Sequence, residues 1–168
     1  MRSDVLIFAA VAGSGGASAA VDMRLRRVPN GLTLGIATLG VALAAMQLNR
    51  ITTGGALVGF AVGLLLMLPG HVIGMTGAGD VKLLAAIGTL LGAKLTVIAF
   101  LYSAIVGGVL AILIAVRRGR LSETLERTAT LVRTGGANVA DIERPSADNR
   151  FAYAPAIAIG AIVAALEL

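Results

Sequence analysis

Six apolar stretches separated by polar turns limit this chain more than any other feature of its sequence. They run from Asp4 to about Val21, Leu32 to Leu48, Gly54 to about Gly74, Asp80 to Leu91, Leu95 to Val116 and Phe151 to Leu168, and the fifth is the most hydrophobic. A helix that crosses a bilayer needs about 20 apolar residues. A soluble domain carries roughly a quarter charged residues, whereas this chain of 168 residues is 57% hydrophobic and 14% charged. So much apolar sequence, spread along most of the length, does not fit one compact core. The expectation is an all-α, polytopic membrane protein of about six transmembrane helices, forming a single domain over residues 1–168. The fourth stretch is short for a crossing, and either its neighbours extend it or part of it lies at the interface. The first stretch has no basic segment ahead of it, since Asp4 balances Arg2, and its arginines follow the apolar run instead. It therefore reads as a retained helix rather than a cleaved signal. The 22 glycines fit close helix packing in lipid.

The charges set an orientation. Arg24, Arg26 and Arg27 follow the first stretch, Lys82 opens the fourth, and Arg117, Arg118, Arg120, Arg127, Arg133, Arg144 and Arg150 lie between the fifth and sixth. With six crossings these eleven share one side, leaving Arg2, Arg50 and Lys94 on the other. Lys and Arg accumulate in cytoplasmic loops, so the first side is expected to be cytoplasmic and both termini external. The net charge of +5 is read as this bias, and no nucleic-acid partner is expected. The long polar stretch, residues 117–150, carries Leu121, Leu125, Thr128 and Val132 at helical spacing among charges. It is expected to be a cytoplasmic loop whose first part is an amphipathic helix lying on the membrane, ended by Gly135-Gly136. A plain solvated connector is the alternative.

Candidate chemistry comes from the acids. With no cysteine and one histidine, a thiolate nucleophile and a Cys- or His-based metal site are excluded. Of nine acids, Asp4 and Glu167 lie at the outer ends and Glu123, Glu126, Asp141, Glu143 and Asp148 in the loop. Asp22 and Asp80 remain, both at cytoplasmic ends of helices. A carboxylate at membrane depth costs roughly 3 kcal/mol or more and ordinarily serves a function there; the plain alternative is that each marks a wet helix end. Two carboxylates that approach each other can share a proton, one serving as base and the other as acid. Asp80 closes the run Gly77-Ala78-Gly79-Asp80. Glycines before it allow positive φ, a sharp entry into the helix and close backbone approach by a substrate, while Asp80 as a simple N-cap is a compatible reading. Asp22 precedes Pro29-Asn30-Gly31, turn chemistry that is expected to stop the first helix near Arg27. That segment is either an ordinary interhelical turn or one that also aims Asp22.

Taken together, these blocks resemble the type IV prepilin peptidases. The resemblance rests on an Asp seven residues ahead of Pro29-Asn30-Gly31-Leu32-Thr33, on the run Gly74-Met75-Thr76-Gly77-Ala78-Gly79-Asp80-Val81-Lys82-Leu83-Leu84-Ala85-Ala86-Ile87-Gly88, and on Tyr153-Ala154-Pro155-Ala156-Ile157-Ala158-Ile159-Gly160. It covers most of the chain from Asp22 onward apart from the long loop. Val28 stands where the family commonly has Ile. The resemblance implies a membrane aspartic endopeptidase with Asp22 and Asp80 as the catalytic pair. Its substrates would be prepilins with a short basic leader followed by an apolar helix. It needs no metal or organic cofactor. Larger relatives carry a Cys-based zinc domain and methylate the new pilin N-terminus. This chain has no cysteine, so methyltransferase activity is not expected, and its short form is similar to the peptidases of tight-adherence (Flp-type) pilus systems. Gly77, Gly79, Lys82, Pro29 and Asn30 are the residues expected to position substrate or backbone.

Three further side chains have plainer readings. His71 sits near the end of the third helix, Lys82 is placed to reach lipid headgroups, and Tyr153 fits an interfacial aromatic. Asp80, at a helix start near Lys82, is expected to be the resting carboxylate and base, with Asp22 holding the shared proton. The rival function is a small ion or proton transporter using the same two acids. Transport predicts acids near the bilayer midplane, whereas both lie toward one face.

Overall fold

The computed structural model describes residues 2–73, 76–117, 129, 133 and 153–168. Among them every regular element is a helix: α1 (Arg2–Leu25), α2 (Asn30–Ala45), α3 (Thr53–Val72), α4 (Ala78–Arg117) and α5 (Ala154–Ala165). Ala129 and Arg133 are also helical. The rest of the segment proposed to lie on the membrane falls outside the described residues.

The first turn follows from its residues. Arg26 adopts a left-handed backbone (φ 49°) and its amide bonds the Asp22 carbonyl at 2.7 Å, which ends α1. Pro29 then caps α2 in an extended conformation, φ −64° and ψ 144°, as a proline fixed near −65° does readily. Thr33 Oγ1 bonds the Asn30 carbonyl at 3.0 Å inside the first turn of α2. The next turn is capped by Thr52, whose side chain accepts the Gly55 amide at 3.1 Å.

α4 is a helical hairpin. Gly92 within it has φ 73° and ψ 175°, a backbone region essentially confined to glycine. In a continuous helix Gly88 and Thr96 would stand about 12 Å apart along the axis. Instead, a Cβ placed on Gly88 would lie 3.1 Å from Thr96 Oγ1, so the chain reverses at Gly92. The fourth and fifth apolar stretches of the sequence are therefore two antiparallel limbs, 78–91 and 93–117.

With that reversal the chain runs the length of the bundle six times. Asp22, the Val28–Asn30 turn and the start of α4 share one end. Asp4, Arg50, Gly92 and Leu168 share the other. There Arg50 pairs with Asp4 at 2.6 Å and donates to the Leu168 carbonyl at 2.5 Å, and Ile51 packs on Gly92.

The 78–91 limb is the centre of the bundle. Leu83 through Leu91 are all buried, as is Val81. A helix that is apolar all round is one enclosed by others, which resolves why this stretch is short for a lipid-facing span. Its neighbours come close because they present glycine: an added Cβ on Gly59 would collide with the Gly88 carbonyl, and one on Gly63 would lie 2.7 Å from the Leu84 carbonyl. α5 uses Gly160 in the same way against Ala99 and Ser103.

The outside of the bundle is apolar. Val5, Leu34, Leu65, Ile105 and Val109 are each more than half exposed. A soluble monomer rarely shows so large a continuous apolar surface. Ser3–Leu25, Thr53–Val72 and Ala78–Ile114 are long and apolar enough to cross a membrane. The protein is an all-helical membrane protein.

Candidate functional site

The end of the bundle that holds Asp22 and Asp80 is built from three chain segments: the end of α1 with its following turn, the start of α4, and the start of α5. Asp22 is 5% exposed, within the last turn of α1. Its Oδ2 accepts the backbone N–H of Ala154, the first residue of α5, at 3.2 Å. Asp80 stands in the first turn of α4, two residues after the helix begins at Ala78. Its amide bonds the Gly77 carbonyl at 3.1 Å. The helix begins at Ala78, which corrects the expectation that α4 starts at Asp80. The two acids are near enough that the charge of Asp22 acts on Asp80.

The glycines beside Asp80 work through space rather than through backbone freedom. Among the described residues Gly92 is the only glycine with positive φ, so the expected left-handed turn at Gly77 or Gly79 is absent. A Cβ on Gly77 would lie 3.0 Å from Asp80 Oδ2, so its lack of a side chain leaves room for the carboxylate to fold back. A Cβ on Gly79 would meet Val28 Cβ and N at 3.4 Å. The close approach expected there is thus made, within the protein, by the α1–α2 turn. Lys82 is exposed and donates to Asn30 Oδ1 at 3.0 Å. Gly79 on Val28 and Lys82 on Asn30 together fasten the start of α4 to the turn that follows Asp22. Pro29 contributes as the cap of α2.

Lys82, expected to favour the charge of Asp80, bonds Asn30, and Asp22 also receives a backbone amide at a helix start, that of Ala154.

Tyr153 is more than an interfacial aromatic. Its hydroxyl donates to the Ser103 carbonyl at 3.1 Å, and its ring lies against Gly107, where an added Cβ would collide with it. His71 Nδ1 lies 3.0 Å from the Thr76 carbonyl, where it ties the end of α3 to the approach to α4. Among the described residues no group of three His, Cys, Asp or Glu side chains gathers to hold a metal ion. An open apolar cleft of about 410 Å³ between α1 and α2, lined by Ala10, Gly13, Ala17, Gly35 and Leu39 among others, holds neither aspartate, so the site is located by its acids and not by volume.

No curated protein matches the chain, and no solved structure does. The model of the type IV leader peptidase family matches residues 6–112, a span that takes in Asp22, the Val28–Asn30 turn, Asp80 and the hairpin at Gly92, and the chain belongs to that family.

Proposed function

We propose that this peptidase is an aspartic endopeptidase in which Asp22 and Asp80 are the catalytic pair. The observation that carries the reading is that two acids 58 positions apart in the chain are brought to one end of a bundle that is otherwise apolar, near enough for the charge of one to act on the other. A water molecule attacks the scissile carbonyl carbon. One carboxylate takes the water proton while the other, protonated, donates to the carbonyl oxygen as the tetrahedral centre forms. When that centre collapses, the C–N bond breaks and the proton passes to the leaving amine. No metal or organic cofactor enters the scheme.

The substrate is a prepilin of the Flp type, with a basic leader ahead of an apolar helix, cut where the two meet. Such a substrate lies in the membrane with its leader in the cytoplasm. The site belongs to the cytoplasmic face of the inner membrane, with six crossings and both termini outside. The charge bias of eleven against three supports that side, as does the position of both acids at the end opposite Asp4 and Leu168. Gly77, Gly79, Lys82, Pro29 and Asn30 position the acids and the backbone around them. The test is cleavage of a purified prepilin in detergent or liposomes. Asp22→Asn and Asp80→Asn each abolish it while the protein still inserts and unfolds at the wild-type temperature. Processing at the normal rate by either variant overturns the two-carboxylate mechanism.

A further inference from the structure

Asp22 owes its orientation to a bond that its own helix does not supply. Its Oδ2 accepts the Ala154 amide, and Ala154 is fully buried, so the direction of that N–H depends on how α5 begins. α5 has no side-chain cap of its own; its preceding residue Tyr153 is in a helical conformation, φ −90° and ψ −18°, and Pro155 occupies its first turn. Asp22 therefore satisfies, from another helix, one of the amides left without an intrahelical acceptor at the start of α5. What fixes the start of α5 is Tyr153. The hydroxyl is tied to the Ser103 carbonyl and the ring is laid on Gly107, both on the 93–117 limb. Any side chain at Gly107 would occupy the space of that ring.

We infer that Tyr153 is a positioning residue for the proteolytic reaction: anchored on Ser103 and Gly107, it holds the Ala154 amide on Asp22 and so sets where the Asp22 carboxyl points. The inference rests on the reading of Asp22 as one of the two reacting acids. It gives a role to the 93–117 limb, which carries neither aspartate. The link runs from Ser103 and Gly107 through Tyr153 to Ala154, and from the Ala154 amide to Asp22.

The test uses the full-length protein in detergent with Tyr153→Phe and Gly107→Ala. Tyr153→Phe removes the bond to Ser103 and leaves the ring; Gly107→Ala displaces the ring and leaves the hydroxyl. Losing one neutral hydrogen bond is expected to lower kcat roughly fivefold, and displacing the ring to lower it on the order of tenfold to a hundredfold, as a shift near 1 Å at a reacting group does. KM for a prepilin is unchanged in both. The infrared band of the Asp22 carboxyl, found by difference against Asp22→Asn, shifts in both variants because its amide donor has moved. A merely structural role for Tyr153 would lower the unfolding temperature without moving that band. Wild-type kcat in both variants, or a fall in kcat with the band in place, overturns the inference while leaving the aspartate pair intact. If Gly107→Ala does not fold, Tyr153→Phe decides alone. Normal cutting by Asp22→Asn is a separate result that removes the aspartate reading and this inference with it.

Discussion

Gly79 tests whether the glycines of the Gly77-Ala78-Gly79-Asp80 run serve the protein or the substrate. The residue is helical and has no positive φ, so alanine there is not strained. Its Cβ would stand 3.4 Å from Val28 Cβ and N and 3.6 Å from Val28 O, which is ordinary van der Waals contact. Alanine also has a helix propensity better than glycine by about 1 kcal/mol. Gly79→Ala is therefore expected to fold at least as well as the wild type and to cut within about threefold of it, the range of a surface change with no special feature. Leucine extends beyond a Cβ that already touches Val28, and forcing it in costs about 1–3 kcal/mol. The atoms that must give include the backbone of the turn following Asp22, and the residue that must move with Gly79 is Asp80. Turnover is then expected to fall on the order of a hundredfold, more than the loss of stability alone predicts. Val28→Ala does not rescue Gly79→Leu, because two of the three nearest atoms are backbone. The assay is prepilin cleavage beside thermal unfolding in the same detergent. Wild-type cutting by Gly79→Leu refutes the packing argument. Gly79→Ala as damaging as leucine, with its stability intact, refutes it differently: the space over Gly79 would then belong to the substrate.

Gly92→Ala is expected to destabilise the protein by about 1–3 kcal/mol, the cost of a side chain in a backbone region reserved for glycine, with its methyl also pressed on Ile51; an unchanged unfolding temperature would show that α4 does not reverse there. The orientation is checked by reporter fusions: one after Gly136 is expected to read cytoplasmic and one after Leu168 external, and opposite signals at the two points overturn the assigned side of cleavage.

Much of the architecture was legible because membrane helices announce themselves by length and apolarity. The break at Gly92 lay between two apolar stretches, and Pro29-Asn30-Gly31 marked the turn between α1 and α2, although α2 begins at Asn30, two residues ahead of the expected Leu32. What periodicity does not carry is which helix lies in the middle. The 78–91 limb and the 93–117 limb are both apolar, yet Leu83 through Leu91 are buried while Ile105, Val109, Ile112 and Leu113 face outward. In water an exposed face is polar and a buried one apolar. In lipid both are apolar, so the pattern that separates them is erased. The surviving signal is size: Gly59, Gly63 and Gly88 stand where backbones touch.

The site divides along a related line. Asp22 and Asp80 stood out by elimination among nine acids, since carboxylates are costly in an apolar chain. Their immediate surroundings did not, because these are backbone: the Ala154 amide that Asp22 accepts, and the space over Gly77 beside the Asp80 carboxylate. An amide donor is present at every residue except proline and leaves no mark of its own in a sequence. Only the conditions that free it are written there: a helix start, where the first N–H groups lack intrahelical acceptors. Pro155 just inside α5 and the Gly77–Ala78 start of α4 are two such places. Both acids are held by the starts of helices other than α1, so the geometry of the pair depends on how α1, α4 and α5 pack. A substitution that tilts α5 or the start of α4 is therefore expected to impair cleavage even when it touches neither aspartate.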